Sequence, residues 1–241
     1  MATAWKTIVQ GSGPRTLVLI PGAMGTATIM DKILPLLTTN LRVIAAEPPA
    51  EADAVVLADQ LAALLDELGA PKVDLMGTSF GGFVAQYFAA KYPERVNTLV
   101  LSNTFNDPSF SPRRRPLDEL QAEPASEMHG KAIKMITGTP ESPTRDMLLY
   151  QLGIQPPESF KARQVGLALR PAAPLVDLNK VKVVLIDTKD DPVVAPPARD
   201  DLVAKYASSK RITLEKGGHF PYVVNLDAYV PALREAIGAP A

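Results

Sequence analysis

Residues 74–88 read DLMGTSFGGFVAQYF. An apolar run ends at Gly77, and Gly77-Thr78-Ser79-Phe80-Gly81 form a Gly-x-Ser-x-Gly pattern before a stretch of helical character. At average glycine and serine frequencies, a chain of this length holds the pattern by accident about one time in twelve. The five residues alone are therefore weak evidence. Their weight comes from context, because the chemistry demands a buried strand before the serine, a helix straight after it, and partner residues later in the chain.

The local context fits. A serine between a strand and a helix sits on a turn so sharp that its backbone is strained, and residues two places away on either side must be nearly without side chains. Gly77 and Gly81 occupy those places, and Gly82 lets the new helix pack closely. The hydroxyl then stands above the strand ends with a helix N-terminus beneath it. That terminus carries partial positive charge and free N–H groups, which suit an oxyanion.

Outward from this point the chain alternates. Short apolar runs at Thr16–Ile20, Arg42–Ala46, Lys72–Met76, Val96–Leu101, Val181–Ile186 and Arg211–Leu214 suit strands buried on both faces. Helical periodicity fills Ala54–Leu68, Phe80–Lys91, Arg199–Tyr206 and Leu226–Ile237. The alternation predicts an α/β fold with a mainly parallel sheet flanked by helices. It fails over residues 104–180, which hold many prolines and helix-like pieces (Ser126–Ile136, a start at Ser142-Pro143, Ser159–Leu169). This stretch reads as a helical cap inserted into a single domain spanning residues 1–241, its pieces too short to bury a core of their own. Met128, Met135, Met147 and Tyr150 lie in it, and their spacing suggests cap core rather than pocket lining.

Composition narrows the function. Formal net charge is −1, from 25 basic and 26 acidic residues, which argues against a nucleic-acid partner. The basic run Arg113-Arg114-Arg115, between Pro112 and Pro116, reads as a solvated loop. With no cysteine there is no disulfide frame or thiol nucleophile, which fits a cytoplasmic location. The N-terminal residues lack the pattern of a signal peptide, and no apolar run reaches the length of a membrane span. Two histidines make a multi-histidine metal centre improbable, and no metal or organic cofactor is expected.

A serine hydroxyl is protonated at neutral pH and needs a base. His219, in the glycine-led loop Gly217-Gly218-His219-Phe220-Pro221-Tyr222, is the candidate; His129, in a helix-like segment of the insertion, reads as a surface or cap residue. The imidazole needs a carboxylate to fix its tautomer. Asp187, Asp190 and Asp191 compete after the fifth apolar run; Asp191 is favoured because Pro192 forces it extended, with Asp190 the alternative. The loop Ile20-Pro21-Gly22-Ala23-Met24-Gly25 offers a second oxyanion donor, the Ala23 N–H with Met24 in reserve, to pair with the Phe80 N–H. Ser79 and His219 are expected within about 2.6–3.2 Å, or looser without ligand.

Taken together, LIPGAMG (19–25), GTSFGG (77–82), DDPVV (190–194) and GGHFPY (217–222) resemble the α/β-hydrolase superfamily over nearly the whole chain outside the insertion. The order Ser79, Asp191, His219 is the order of that superfamily. Within it, RVIAAEPP (42–49), VDLMGTSFGGFVAQYFA (73–89), LVLSNTFND (99–107) and LEKGGHFPY (214–222) resemble the maspardin family. Maspardins read Gly-Gly-Asn-Phe-Pro-Tyr at the last stretch, lack the catalytic histidine and are regarded as binding proteins. The presence of His219 here implies an active enzyme. Pro21-Gly22 replaces the usual His-Gly of the superfamily; the donor is a backbone N–H, so activity should survive the change. The expected function is hydrolysis of a small or medium ester, a small-molecule substrate. The rivals are a maspardin-like binding protein, or a lyase, C–C hydrolase or haloperoxidase using the same triad.

Overall fold

A seven-stranded sheet organises the molecule, with strands in the order β1-β3-β2-β4-β5-β6-β7. The computed structural model describes residues 4–111 and 114–240; Met1–Thr3, Pro112 and Arg113 of the basic run lie outside the described residues. The strands are β1 (Lys6–Gln10), β2 (Arg15–Ile20), β3 (Leu41–Glu47), β4 (Val73–Thr78), β5 (Val96–Ser102), β6 (Lys182–Thr188) and β7 (Lys210–Leu214). All neighbours pair in parallel except β1, which runs antiparallel to β3. The expected α/β-hydrolase architecture is therefore present, with an extra strand at one edge.

The helices are α1 (Leu34–Leu37), α2 (Ala54–Glu67), α3 (Phe80–Lys91), α4 (Leu117–Ala122), α5 (Ala125–Thr137), α6 (Pro143–Ile154), α7 (Pro157–Leu169), α8 (Pro196–Lys205), α9 (Pro221–Val224) and α10 (Leu226–Ile237). Helix α2 starts where Asp53 caps it, its carboxylate accepting from the Val55 N–H at 2.9 Å. Helix α6 starts as its sequence suggests, with Ser142 accepting from the Arg145 N–H and Pro143 in the first turn.

Two apolar layers form, one on each face of the sheet. Leu57, Leu61 and Leu65 of α2 and Phe83, Val84 and Phe88 of α3 pack with Val18, Leu75 and Leu99 on one face. Leu34, Leu37, Tyr229 and Leu233 pack with Leu17, Val43, Met76 and Val184 on the other. Each such side chain, buried in full, contributes about 1.5–3 kcal/mol. Strand β7 corrects the expectation of a run buried on both faces: it is an edge strand, and Lys210 and Arg211 are exposed.

The helices between β5 and β6 share a small apolar cluster, with Leu120, Met128, Ile136, Leu148, Leu152 and Phe160 buried together. Met24 of the loop after β2, Ala52 and Phe220 close it from below. The short basic run is also not simply solvated: Arg115 pairs with Glu123 at 2.5 Å, and Arg114 borders the main cavity.

The sheet places the site. The chain leaves β2 towards β3 on one side, then returns to β4 on the other, so the order reverses between β2 and β4. Open α/β sheets bind ligands at the carboxyl ends of strands at such a point. Ser79 follows β4, and the loop 21–25 follows β2.

Candidate active site

Ser79 is strained, with φ 51° and ψ −122° between β4 and α3. The turn is possible because its neighbours lack side chains. A Cβ on Gly77 would lie 2.3 Å from the Gly81 carbonyl oxygen, and one on Gly81 would lie 2.2 Å from that of Ile20. We expect Gly81→Ala to destabilise the fold by about 1–3 kcal/mol through overpacking, read as a lower midpoint of urea unfolding. An unchanged midpoint would show that the turn has room to spare. The Ser79 carbonyl accepts from Thr104 Oγ1 at 2.6 Å, which ties the turn to the segment after β5.

His219 and Asp191 meet. His219 Nδ1 lies 2.9 Å from Asp191 Oδ2 and 3.1 Å from Oδ1, with the two side chains 6% and 2% exposed. Asp191 arrives after β6 and His219 after β7, adjacent strands. Asp191 also accepts from the Val193 N–H at 2.7 Å and the Val194 N–H at 3.2 Å. Asn103 donates to it from Nδ2 at 2.8 Å. Burial works against ionisation, but the bonds from His219, Asn103 and Val193 outweigh it and hold the carboxyl below the usual range.

A depressed carboxyl pKa stabilises the fold above the unfolded value and loses that contribution as pH falls through the folded value. The window therefore lies below about pH 4. The stability gap between wild type and Asp191→Asn should shrink between pH 5 and pH 2.5. Urea unfolding at both pH values checks this, and a gap that holds constant or widens contradicts it.

The other aspartates have different work. Asp190 accepts from the N–H groups of Gly217 (3.2 Å) and Gly218 (2.9 Å), shaping the histidine loop. Asp187 pairs with Arg211. His129 is a buried residue of the cap and not a surface one; its ring stands edge-on to Phe160 at 5.6 Å, and it is not among the residues lining the cavity that Ser79 borders.

Ser79 and His219 border one cavity of about 420 Å³. Among the described residues no hydrogen bond joins the Ser79 hydroxyl to the His219 ring. Such contacts are often long in the empty state and tighten with substrate bound. Ala23, Met24 and Gly25 line the same cavity, and Phe80 opens α3 with an N–H that has no intrahelical acceptor. The remaining wall is mainly apolar, including Phe105, Leu148, Phe160, Val194 and Phe220. Met128 is cap core as expected and also lines the cavity; Met135 lines it without joining that core, Met147 packs in the apolar interior and Tyr150 is 61% exposed. Lys131 stands at the rim, but it and Arg115 both pair with Glu123, at 2.8 and 2.5 Å.

The alpha/beta hydrolase fold model matches residues 15–226. The chain belongs to the α/β-hydrolase fold family. Among α/β-hydrolase relatives, maspardin of Mus musculus is 29% identical over 239 residues, covering 88% of this chain and 72% of the relative. A pimeloyl-[acyl-carrier protein] methyl ester esterase of Neisseria meningitidis serogroup B is 24% identical, covering 92% and 93%. A thermophilic esterase from Thermogutta terrifontis superposes with TM-score 0.79 at 24% identity, covering 96% and 92%, a likeness of fold. Among the described residues of this α/β-hydrolase, no helix is long and apolar enough to cross a membrane.

The sequence reading missed Asn103 and Arg163. Asn103, at φ 41°, also donates to Thr188 Oγ1 and the Gly218 carbonyl, so one amide ties three loops together. Its signal was only its place after an apolar run. Arg163, on α7, contacts the loop after β2. Nothing in the local sequence marks it.

Proposed function

We propose that this chain is an esterase-type serine hydrolase acting on an uncharged small or medium acyl substrate. The observation that carries the reading is the buried Asp191–His219 pair at the wall of an apolar cavity that Ser79 also borders. The contact at Nδ1 favours a proton there and leaves Nε2 free as the base. Ser79 Oγ attacks the carbonyl carbon while Nε2 takes its proton. The N–H groups of Phe80 and Ala23 receive the oxyanion. His219 then protonates the leaving alcohol, and water, activated by the same nitrogen, releases the acid from Ser79. The chemistry needs no cofactor. Residues 104–180 act as the cap that closes the cavity and sets acyl preference. Pairing of Arg115 and Lys131, two of the three cations along the cavity lining, with Glu123 supports an uncharged substrate.

A panel of p-nitrophenyl esters with acyl chains of increasing length tests the reading. Turnover that improves beyond acetyl supports it. A folded protein that turns over none of them favours a second reading, a binding protein using the same cavity, which rests on the likeness to maspardin. Lyase, C–C hydrolase or haloperoxidase chemistry on the same residues would appear as ester turnover far below that of a dedicated substrate.

A further inference from the structure

Arg163 is a buried cation with an unusual set of partners. Its side chain is 0% exposed, yet the nearest carboxylate oxygen, Glu47 Oε1, stands 3.6 Å away. The guanidinium instead donates to backbone carbonyls. Nη1 reaches Gly25 at 2.5 Å, Gly22 at 3.2 Å and Ala23 at 3.4 Å; Nη2 reaches Pro48 at 3.0 Å. Its Nε has no partner among the described residues. Burial lowers its pKa to about 10, which leaves it charged at neutral pH. A well-packed apolar residue often replaces a buried ion without loss of stability. The charge therefore calls for a positional explanation.

The carbonyls it holds suggest one. In a trans peptide the C=O and the following N–H point in opposite directions. The Gly22 carbonyl and the Ala23 N–H share one peptide; the Ala23 carbonyl and the Met24 N–H share the next. Holding the two carbonyls on the Arg163 guanidinium turns both N–H groups away from that guanidinium, and Ala23 and Met24 are residues that line the cavity. The Gly22 carbonyl also accepts from the Gly25 N–H at 3.1 Å, and the Ala23 carbonyl from Gln155 Nε2 at 2.9 Å. Gln151, one turn earlier on α6, accepts from the Thr26 N–H at 2.8 Å. Helix α7 reaches this position because Gly166 brings it close to the Ala52 carbonyl, where a Cβ would sit at 2.4 Å.

We propose that Arg163, assisted by Gln155, is the positioning residue that fixes the peptides of residues 22–24, so that the helical insertion sets the oxyanion hole. This rests on the hydrolase reading above. Arg163 touches no substrate; it acts through the direction of the Ala23 N–H. A donor swung away leaves the ground state bound and the transition state unsupported, so kcat falls while KM holds. Loss of one oxyanion donor costs about 10²–10³ in kcat.

The experiment compares wild type, Arg163→Met, Arg163→Lys and Gln155→Met in p-nitrophenyl ester hydrolysis. Active sites are counted by titration with a fluorophosphonate, and thermal unfolding is recorded for each. Arg163→Met is expected to lose about 10²-fold in kcat per titrated site with KM within about threefold. Arg163→Lys, which can still donate to the carbonyls, should recover at least about tenfold of that loss. Gln155→Met should lose about 3- to 10-fold, and it carries the test if Arg163→Met does not fold. Unchanged kcat per titrated site in the folded variants overturns the proposal, as does a loss that Lys does not recover and that follows Tm alone. An inert wild type overturns the hydrolase reading itself and this proposal with it; an active wild type with insensitive variants overturns only this one.

Discussion

Ser79→Ala is expected to lower kcat for p-nitrophenyl ester hydrolysis by about 10⁵- to 10⁶-fold, the order seen when a triad nucleophile is removed. The change deletes the attacking oxygen and nothing else of substance. The Ser79 hydroxyl has no hydrogen-bond partner among the described residues, so no buried group is orphaned by its loss. The strained backbone at φ 51° is kept, since alanine carries the same Cβ. Stability should therefore stay within about 0.5 kcal/mol of wild type, as for a substitution outside the named destabilising mechanisms. Steady-state kinetics with thermal unfolding as control measure both parts. A variant retaining activity within tenfold of wild type would remove Ser79 from the chemistry.

His219→Asn should be nearly as damaging, about 10⁵-fold or more in kcat, because asparagine cannot take a proton from serine. It is also the variant best placed to stay folded. The asparagine amide can still donate towards Asp191, which in any case keeps its bonds from Asn103 and the Val193 N–H. The carboxylate is thus not left unpaired in the interior. The loop retains its ties from Asp190 to the N–H groups of Gly217 and Gly218. The variant stretch would read Gly-Gly-Asn-Phe-Pro-Tyr, as maspardins do. An inactive, folded variant that still binds a slowly hydrolysed ester would separate the binding and chemical functions of one scaffold. Turnover within tenfold of wild type would show that His219 is not the base.

The sequence shows the fold most clearly where the strands are buried on both faces. Runs such as TLVLI and VVLI have no amphipathic alternative, and glycine, proline or aspartate marks their ends. Strand β1 escaped notice because Lys6–Gln10 pairs on one side only and is half exposed, so its apolar signal is weak. Helix α8 begins at Pro196, three residues before the periodicity suggests, because two prolines in its first turn look like loop in sequence. Helices α1 and α9 are single turns, too short to show a period.

For the site, the legible part lies in residues whose role comes from a local turn. Ser79 is marked by its flanking glycines, and His219 by the glycines before it. Arg163 and Asn103 are different in kind. Their partners are 115–141 residues and 85–115 residues away, so only the folded sheet brings them together. The sequence around Arg163, FKARQVG, is an ordinary helical surface pattern, and the residue becomes unusual only once α7 is laid across the loop after β2.

Fluorophosphonate labelling followed by peptide mapping asks whether Ser79 is a nucleophile activated by His219. One stoichiometric adduct is expected, on Ser79 within the peptide DLMGTSFGGFVAQYF, absent in Ser79→Ala and at least about 10³-fold slower to form in His219→Asn, in keeping with the contribution of the base. A folded wild type that takes up no label, or an adduct mapped to another residue, would contradict it.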